Sequence, residues 1–426
     1  MKGYDVLAQA LQSCADRIYT VPGYPVTELG SVIGAEPVAG EKVALEYALG
    51  DSLSGRRAAV IMKNAGLNAC ADPLVQATSQ GLIGGLVIIA GDDPAAEGST
   101  TTQDSRYYGE IAQVPVLEPG PETCAAGIEA AFSASEQFSR VALLRVTPGL
   151  LFAPGEPEVV VRTPGSGTLA SANLTMRGRA SRADSLFREM FAWSRDHPLN
   201  RFSGGAAGIG AARGESRVVT VYPPPPQVGS LDEIREIGRP FVREHIHVQP
   251  PRQPAKPETI GQRGYYRTFC RGCPFLPVFE ILESRRMSVV TDAGCSILTL
   301  NPPYLLGIAT YGLGTAIGVA ARSTGVALIG DYGLIHSGIQ SLIDVYEKKI
   351  PLLCIVLNNR CMGMTGGQES PDPARYISWA DPVIVGAADH EALRRLLVPP
   401  PEPVTVIVEG TCPEGRYHET VECRDL

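Results

Sequence analysis

The chain has 426 residues, of which 44% are hydrophobic and 19% are charged, and its formal net charge is −8. This length predicts two or three domains with a sizeable core that needs no disulfide or metal to hold it together. The acidic balance argues against binding to nucleic acid or a membrane surface, because phosphate groups attract basic surfaces. The most apolar run, Gly81–Gly91, is about half the ~20 residues of a membrane-spanning helix. Ten cysteines in so long a chain indicate a reducing, cytoplasmic location, where clustered cysteines serve metal binding or catalysis.

Residues 1–148 alternate between helix and strand patterns. Short apolar runs separated by longer helices are typical of a parallel sheet with helices on both faces. The predicted helices are Tyr4–Ala15 and Glu41–Leu53, and the predicted strands are Arg17–Val21, Arg57–Lys63, Leu86–Ala90 and Val141–Val146.

Residues 149–258 have a different composition. Positions 150–258 contain 13 of the 35 prolines, including the run Pro223–Pro226, and a Gly/Ala-rich patch at Gly204–Gly214. One helix is predicted, at Ser181–Arg195. This pattern predicts a long Pro-rich connector, and a small separate domain is the alternative.

Residues 259–426 return to the alternating pattern. The predicted fold is therefore α/β, with two doubly wound parallel-sheet domains joined by the connector. The predicted helices of this part are Gly312–Ala321 and His336–Lys348, and its predicted strands are Met287–Thr291, Val326–Gly330, Leu352–Leu357 and Val404–Val408.

The sharpest motif is Gly330-Asp331-Tyr332-Gly333, followed by Asn358-Asn359, where Asn359 comes 28 positions after Asp331. A carboxylate and an amide oxygen at the ends of neighbouring strands provide the hard oxygen ligands that Mg²⁺ prefers. A helix that opens near His336 would point its N-terminus at a diphosphate.

This pattern resembles that of thiamine pyrophosphate (TPP) enzymes, although Tyr332 stands where they usually have glycine. The resemblance implies Mg²⁺ ligation by the side chains of Asp331 and Asn359 and by the backbone carbonyl of Cys361. The other residues expected to contact the cofactor are Gly294, Gly330, Tyr332, Gly333, Asn358 and Met364.

Longer sequence segments make the resemblance to a family more specific. Ile335–Ile339, Val356–Arg360, Met364–Gly366, Gly66–Asn68 and Gln103–Tyr108 resemble the alpha subunit of indolepyruvate ferredoxin oxidoreductases, in the 2-oxoacid:ferredoxin oxidoreductase superfamily. The resemblance implies a pyrimidine-binding domain at 1–148 and a diphosphate-binding domain at 259–426. It also implies a shortened remnant of a middle domain at 149–258 and no C-terminal ferredoxin-like domain.

The resemblance further implies a catalytic glutamate that hydrogen-bonds the aminopyrimidine of TPP and so favours removal of the thiazolium proton. In the family this residue precedes a helix glycine by nine positions, as Glu41 precedes Gly50. Glu46, one turn further along the helix, is the competing residue and is expected to form a structural salt bridge.

Four cysteines have a spacing typical of an iron–sulfur site: Cys270 and Cys273 form a CxxC pair, Cys295 follows, and Cys412 comes after a late strand. A cubane needs four thiolates, and the resemblance implies a [4Fe-4S] cluster here. A structural zinc and metal-free thiols are the alternatives, and Cys423 could replace Cys412. The cysteines predicted to lie in the core are Cys14, Cys70, Cys124 and Cys354.

Three histidines of the family pattern are replaced here, by Asn64, Phe275 and Gly367. The resemblance implies oxidative decarboxylation of a 2-oxoacid, with electrons passed through the cluster to ferredoxin or to a separate electron-transfer subunit. A homo- or hetero-oligomer, such as a dimer, is expected. A non-oxidative decarboxylase or carboligase, and a non-catalytic TPP-binding paralogue, stay open, as do the 2-oxoacid and any use of coenzyme A.

Overall fold

The structure is a computed structural model that describes residues 1–100, 103–156, 159–195, 197–199, 219–220, 255–414 and 418–423. It divides into two compact units: unit 1 is Met1–Ala170 with Ala180–Lys256, and unit 2 is Ser171–Arg179 with Pro257–Leu426. The patch Gly204–Gly214 and the run Pro223–Pro226 lie outside the described residues. Within the described ranges, no helix has both the length and the hydropathy needed to cross a membrane.

Unit 1 contains a sheet of six parallel strands in the order β2-β1-β3-β4-β6-β5, with a short antiparallel strand, β7, beside β5. The strands β3, β4 and β6 are buried along almost their whole length, as expected when helices cover both faces of a sheet. The strands are β1 (Arg17–Thr20), β2 (Glu36–Pro37), β3 (Ala58–Lys63), β4 (Leu86–Gly91), β5 (Val116–Leu117), β6 (Ala142–Val146) and β7 (Val219–Thr220).

The helices of unit 1 follow the predicted alternation with strands, although the helix predicted from Ser181 begins earlier, at Met176, where the chain still belongs to unit 2. Helix α3 begins at the predicted residue, Glu41, and its residues 43–52 are all buried, as expected for a helix packed on every side. The helices up to residue 195 are α1 (Gly3–Cys14), α2 (Thr27–Ile33), α3 (Glu41–Leu53), α4 (Gly66–Gln80), α5 (Tyr107–Ala112), α6 (Cys124–Phe138), α7 (Pro148–Leu151) and α8 (Met176–Arg195).

Unit 1 also contains a group of five charged side chains, the Asp92 cluster, of which four are buried and Glu118 is partly exposed: Asp92, Asp104, Arg106, Glu118 and Arg145. The guanidinium Nε of Arg145 lies 2.5 Å from Oδ2 of Asp92, and that of Arg106 lies 2.7 Å from Oδ1 of Asp104. The cluster has three carboxylates for two guanidinium groups. Burial raises the pKa of Asp92 to about 6, although the neighbouring Arg145 opposes this shift.

Unit 2 contains a second sheet of six parallel strands, in the order β10-β9-β11-β12-β16-β15, and this confirms the predicted doubly wound α/β fold. Two antiparallel strand pairs, β13 with β14 and β8 with β17, complete it. The strands are β8 (Tyr265–Cys270), β9 (Val289–Thr291), β10 (Gly307–Ala309), β11 (Val326–Gly330), β12 (Leu353–Asn358), β13 (Cys361–Met362), β14 (Gln368–Glu369), β15 (Val383–Gly386), β16 (Val404–Glu409) and β17 (His418–Glu422).

The helices of unit 2 differ from the predictions at two places. The helix predicted from Gly312 begins only at Ala316, because Gly312 and Gly314 have φ angles of 114° and 76°. The helix predicted from His336 begins earlier, at Asp331, and contains a π turn over Leu334–Gly338. The helices are α9 (Ile260–Arg263), α10 (Leu276–Ser284), α11 (Ala316–Ala321), α12 (Asp331–Gly333), α13 (Ile339–Glu347) and α14 (His390–Leu396).

Candidate functional site

A cavity of about 580 Å³ lies in unit 2, where β11 and β12 end. Its position agrees with the rule that ligands of open α/β sheets bind at the carboxyl ends of the strands. Its volume lies in the range of small-molecule sites. The predicted site residues that line it are Cys270, Cys273, Gly294, Cys295, Gly330, Asp331, Tyr332, Gly333, Asn359, Cys361, Met364 and Cys412.

Asp331 is a buried carboxylate on the wall of this cavity, with only 3% of the residue exposed. Its Oδ1 accepts a hydrogen bond of 2.7 Å from the backbone N–H of Tyr332. In the amide orientation that satisfies both groups, Asn358 donates to its Oδ2 over 3.2 Å. Burial raises the pKa of Asp331 although backbone hydrogen bonds oppose the shift, so a bound cation would stabilise the ionised form.

Asn359 contacts the cysteines of the cavity. Its Nδ2 donates to Sγ of Cys412 over 3.1 Å, and its Oδ1 accepts from the backbone N–H of Cys361 over 3.3 Å. Asn358, the first asparagine of the pair, does not line the cavity and instead supports Asp331. The two asparagines therefore have different surroundings.

Gly333 is the motif position at which the structure leaves least room for a side chain. A Cβ atom on Gly333 would lie 2.2 Å from Oδ2 of Asp292, whose Oδ1 accepts a hydrogen bond of 3.0 Å from the backbone of Thr315. The close approach that requires glycine is therefore at position 333, one residue after the position where TPP enzymes usually have it.

The four cysteines predicted to form an iron–sulfur site all line the cavity as free, partly exposed thiols. The N–H of Cys273 donates to the carbonyl of Cys270 over 3.0 Å, which closes the CxxC turn. Burial raises the pKa of Cys273 to about 11 and that of Cys295 to about 12. The other thiols add to both shifts, because neighbouring negative charges would repel one another.

Sequence reasoning missed His418, which also lines the cavity. Its backbone pairs with Cys270 through β17 and β8, and its Nε2 lies 3.6 Å from Sγ of Cys295. Burial lowers the pKa of His418, and the charge of Arg267 lowers it further, which favours the neutral imidazole. No motif marks His418, because its place depends on the pairing of two distant strands.

The remaining cysteines fall into two groups. Cys423 does not line the cavity, and its Sγ donates to the carbonyl of Ile260 over 3.4 Å, which favours Cys412 as the fourth cysteine. The cysteines predicted to lie in the core are confirmed as buried: Cys14, Cys70, Cys124 and Cys354.

The donors in the cavity fit the expected cofactors by their chemistry. The oxygens of Asp331 and Asn359 suit Mg²⁺, and the four thiols suit an iron–sulfur cluster. Among the described residues, no group of three or more His, Cys, Asp or Glu side chains is arranged to hold a single metal ion. In a cubane each cysteine binds a different iron, so the four sulfurs need not meet at one point.

The two candidate glutamates lie in unit 1. Glu41 is the first residue of α3, and it packs across Gly66, where a Cβ atom would lie 3.0 Å from its Oε1. Glu46 is fully buried and forms an ion pair with Lys42, which confirms the expected salt bridge. The cofactor role of Glu41 stays a prediction.

The residues that replace the three family histidines have different environments. Asn64 is buried in unit 1 and exchanges two hydrogen bonds, of 2.8 and 3.1 Å, with Gln103. Phe275 lines the cavity of unit 2 and makes it more apolar. Gly367 has a φ of 79°, in the left-handed region that residues other than glycine adopt uncommonly.

Comparison with known proteins agrees with this geometry. Residues 292–394, which include the motif at Asp331 and Asn359, match the family described as "Thiamine pyrophosphate enzyme, C-terminal TPP binding domain".

Curated relatives extend the similarity over most of the chain. "Indolepyruvate oxidoreductase subunit IorA" of Methanothermobacter thermautotrophicus is 27% identical over 472 residues, covering 85% of this chain and 75% of the relative. The protein of the same name from Archaeoglobus fulgidus is 25% identical, covering 87% and 76%. That of Thermococcus kodakarensis is 39% identical over 145 residues, which are 32% of this chain and 22% of the relative.

Among solved structures, a thiamine diphosphate-dependent 4-hydroxybenzoylformate decarboxylase from Rhodococcus jostii RHA1 has a TM-score of 0.58 and 16% identity. The alignment covers 97% of this chain and all of that protein's chain. At this identity, the similarity supports the fold alone.

Proposed function

We propose that this chain, which resembles the IorA proteins along most of its length and contains a TPP-binding domain, is the TPP-dependent subunit of a 2-oxoacid oxidoreductase. The observation that supports this most directly is the shared cavity. The oxygens that suit Mg²⁺ and the four thiols that suit a cluster line one cavity, and Asn359 donates a hydrogen bond to Cys412 in its wall. A decarboxylase that did not transfer electrons would not need four thiols at this place.

In this proposal Asp331, Asn359 and the backbone carbonyl of Cys361 hold Mg²⁺ and, through it, the diphosphate of TPP. When bound, TPP supplies the electron sink that decarboxylation of a 2-oxoacid requires. Glu41 keeps its predicted role, which is to hydrogen-bond the aminopyrimidine ring. In the same proposal, the domain at 1–148 binds the pyrimidine ring of TPP and the domain at 259–426 binds its diphosphate.

The four cysteines, Cys270, Cys273, Cys295 and Cys412, would hold one [4Fe-4S] cluster, whose chemistry is the transfer of single electrons. Its acceptor would be ferredoxin or a separate subunit, consistent with relatives that are themselves named as subunits. The lining side chains Phe269, Phe275 and Leu357 are apolar, and they would keep water from the reacting groups and accept an aromatic 2-oxoacid such as indolepyruvate.

The test is the composition and the spectrum of protein purified without oxygen and supplied with TPP and Mg²⁺. We expect about four irons per chain, on the basis of one cubane with four thiolates. Addition of indolepyruvate or another 2-oxoacid should release CO₂ and produce the electron paramagnetic resonance signal of a reduced cluster. Iron-free protein that still releases CO₂ would instead indicate a non-oxidative decarboxylase or carboligase.

Single cysteine variants sharpen the test. Alanine at position 270, 273, 295 or 412 should remove the iron, whereas Cys423→Ala and Cys354→Ala should leave it, because neither residue lines the cavity. Cys361→Ala should also keep the iron, since only its backbone carbonyl has a proposed role. Iron retained in Cys412→Ala and lost in Cys423→Ala would contradict the assignment of the fourth ligand.

The loss of the three family histidines favours a second candidate, a TPP-binding protein without catalytic activity. Asn64, Phe275 and Gly367 cannot exchange protons near neutral pH, and His418 contacts a cysteine. This candidate predicts that TPP and Mg²⁺ bind tightly, whereas no CO₂ is released from any 2-oxoacid.

A further inference from the structure

The contacts of Asn359 place one side chain between the two proposed cofactor sites. Its nitrogen donates to Sγ of Cys412 over 3.1 Å, and its oxygen accepts from the N–H of Cys361 over 3.3 Å. An amide group carries an acceptor oxygen and a donor NH₂ on the same planar carbon, and the two point in different directions. The oxygen can therefore bind a cation while the NH₂ donates to a sulfur.

We propose that Asn359 is a positioning residue that couples the two cofactors: its oxygen binds Mg²⁺ while its N–H donates to the sulfur of Cys412. This inference rests on the proposed function, which assigns Mg²⁺ and the cluster to this cavity. It goes further, because it gives the NH₂ group of the amide a role, whereas the Mg²⁺ motif requires only the amide oxygen.

The physical argument concerns the charge of the reduced cluster. A hydrogen bond to a cluster sulfur stabilises added negative charge and so raises the reduction potential. A cation bound at the amide oxygen polarises the N–H and strengthens this hydrogen bond. Occupation of the Mg²⁺–diphosphate site should therefore make the cluster easier to reduce.

The closing experiment measures the reduction potential of the cluster by a titration followed by electron paramagnetic resonance, with and without TPP and MgCl₂. In the unmodified protein we expect a higher potential when TPP and MgCl₂ are present. Asn359→Asp keeps an oxygen for Mg²⁺ but loses the N–H donor. It should lower the potential and shrink the difference between the two conditions.

Two control variants distinguish a loss of coupling between the two cofactor sites from a general shift of the reduction potential. Asn301→Asp makes the same chemical change at a residue that does not line the cavity and that donates to the carbonyl of Arg267, so it should behave like the unmodified protein. His418→Phe removes the contact with Cys295, and in the described part of the chain His418 makes no side-chain hydrogen bond to Asp331 or Asn359. It can therefore shift the potential but should preserve the difference. An unchanged difference in Asn359→Asp would overturn the inference.

A reciprocal measurement needs no variant. By linkage, reduction of the cluster must strengthen the binding of TPP and Mg²⁺ by the same factor by which that binding favours reduction. Calorimetry on the oxidised and the dithionite-reduced protein should show tighter binding in the reduced state. Equal affinities in iron-loaded protein would refute the coupling alone, whereas protein that takes up no iron would refute the proposed function as well.

Discussion

The Nε2 atom of His418 lies 3.6 Å from the Sγ atom of Cys295, although 123 positions separate the two residues in the sequence. The contact exists because β17 pairs with β8 and places His418 opposite Cys270. The cavity is therefore closed on this side by a two-stranded ribbon that lies outside the main sheet of unit 2. The ribbon contributes an imidazole to a cavity wall that is otherwise rich in thiols and apolar groups.

Replacement of Asp331 by alanine should weaken the binding of TPP and Mg²⁺ by more than about 100-fold, or about 2.7 kcal/mol. The reason is that the variant removes the one carboxylate among the described lining residues of the cavity. Without the cofactor, the variant should be at least as stable as the unmodified protein, because a buried carboxylate is costly. Calorimetry and thermal unfolding measure the two effects.

Asp389→Ala is the matched control for that substitution. Asp389 is exposed and caps α14, where it accepts a hydrogen bond of 3.0 Å from the N–H of Ala392. Its loss should cost about 1 kcal/mol of stability and leave cofactor binding unchanged. Unchanged binding in Asp331→Ala would show that the Mg²⁺ site lies elsewhere.

Glu41→Gln and Glu46→Gln should affect different properties, the first the activation of TPP and the second the stability of the fold. Glu41→Gln should slow exchange of the C2 hydrogen of bound TPP by orders of magnitude with little loss of stability, because its carboxylate is partly exposed. Glu46→Gln breaks the buried ion pair with Lys42 and should cost about 3 kcal/mol of stability. Deuterium exchange followed by nuclear magnetic resonance, together with urea unfolding, distinguishes them. Fast exchange in Glu41→Gln would transfer the role to Glu46 or remove it.

Gly333→Ala should destabilise the protein by about 1–3 kcal/mol, because its Cβ atom would collide with the carboxylate of Asp292. Gly330→Ala is the control, since no atom lies within 4 Å of a Cβ placed there. Thermal unfolding of the two cofactor-free variants is the measurement. Equal melting temperatures would show that the Asp292 side chain moves aside without cost.

The raised pKa of Asp92, about 6, predicts a pH effect on stability. Between the unfolded pKa near 3.9 and the folded pKa, the folded chain holds a proton that the unfolded chain has lost. The contribution of Asp92 to the free energy of unfolding therefore falls as pH rises through this interval. Asp92→Asn cannot bind this proton. The free energy of unfolding of the variant, minus that of the unmodified protein, should therefore rise through the same interval, by about 1.4 kcal/mol for each increase of one in pH.

Asp16→Asn provides a control of opposite sign. Its hydrogen bond with Arg162 is the main cause that lowers the pKa of Asp16. Its contribution is present above the unfolded pKa and is lost as pH falls through the lowered value. Urea unfolding at several pH values should separate the two variants. If the stability difference between Asp92→Asn and the unmodified protein does not change with pH, Asp92 stays ionised in the folded protein.

The sequence predicts the elements that position the site, because buried parallel strands are short, continuous apolar runs between turns and longer helices. The strand β11 matches its predicted bounds, and α3 does as well. The start of α11 was wrong, since apolar spacing does not show that Gly312 and Gly314 adopt positive φ angles. His418 was missed because cross-strand pairing over a long separation leaves no local pattern.

The ribbon formed by β8 and β17 has a consequence for the order in which the protein is made. Cys412 and His418 leave the ribosome after every strand of the parallel sheet in unit 2, and domains generally fold as whole units during synthesis. The cavity wall is thus incomplete until both residues have emerged. On the proposed function, the cluster and the cofactor could be inserted only after Cys412 and His418 have been made, so a parallel sheet without its metal would have to persist during synthesis.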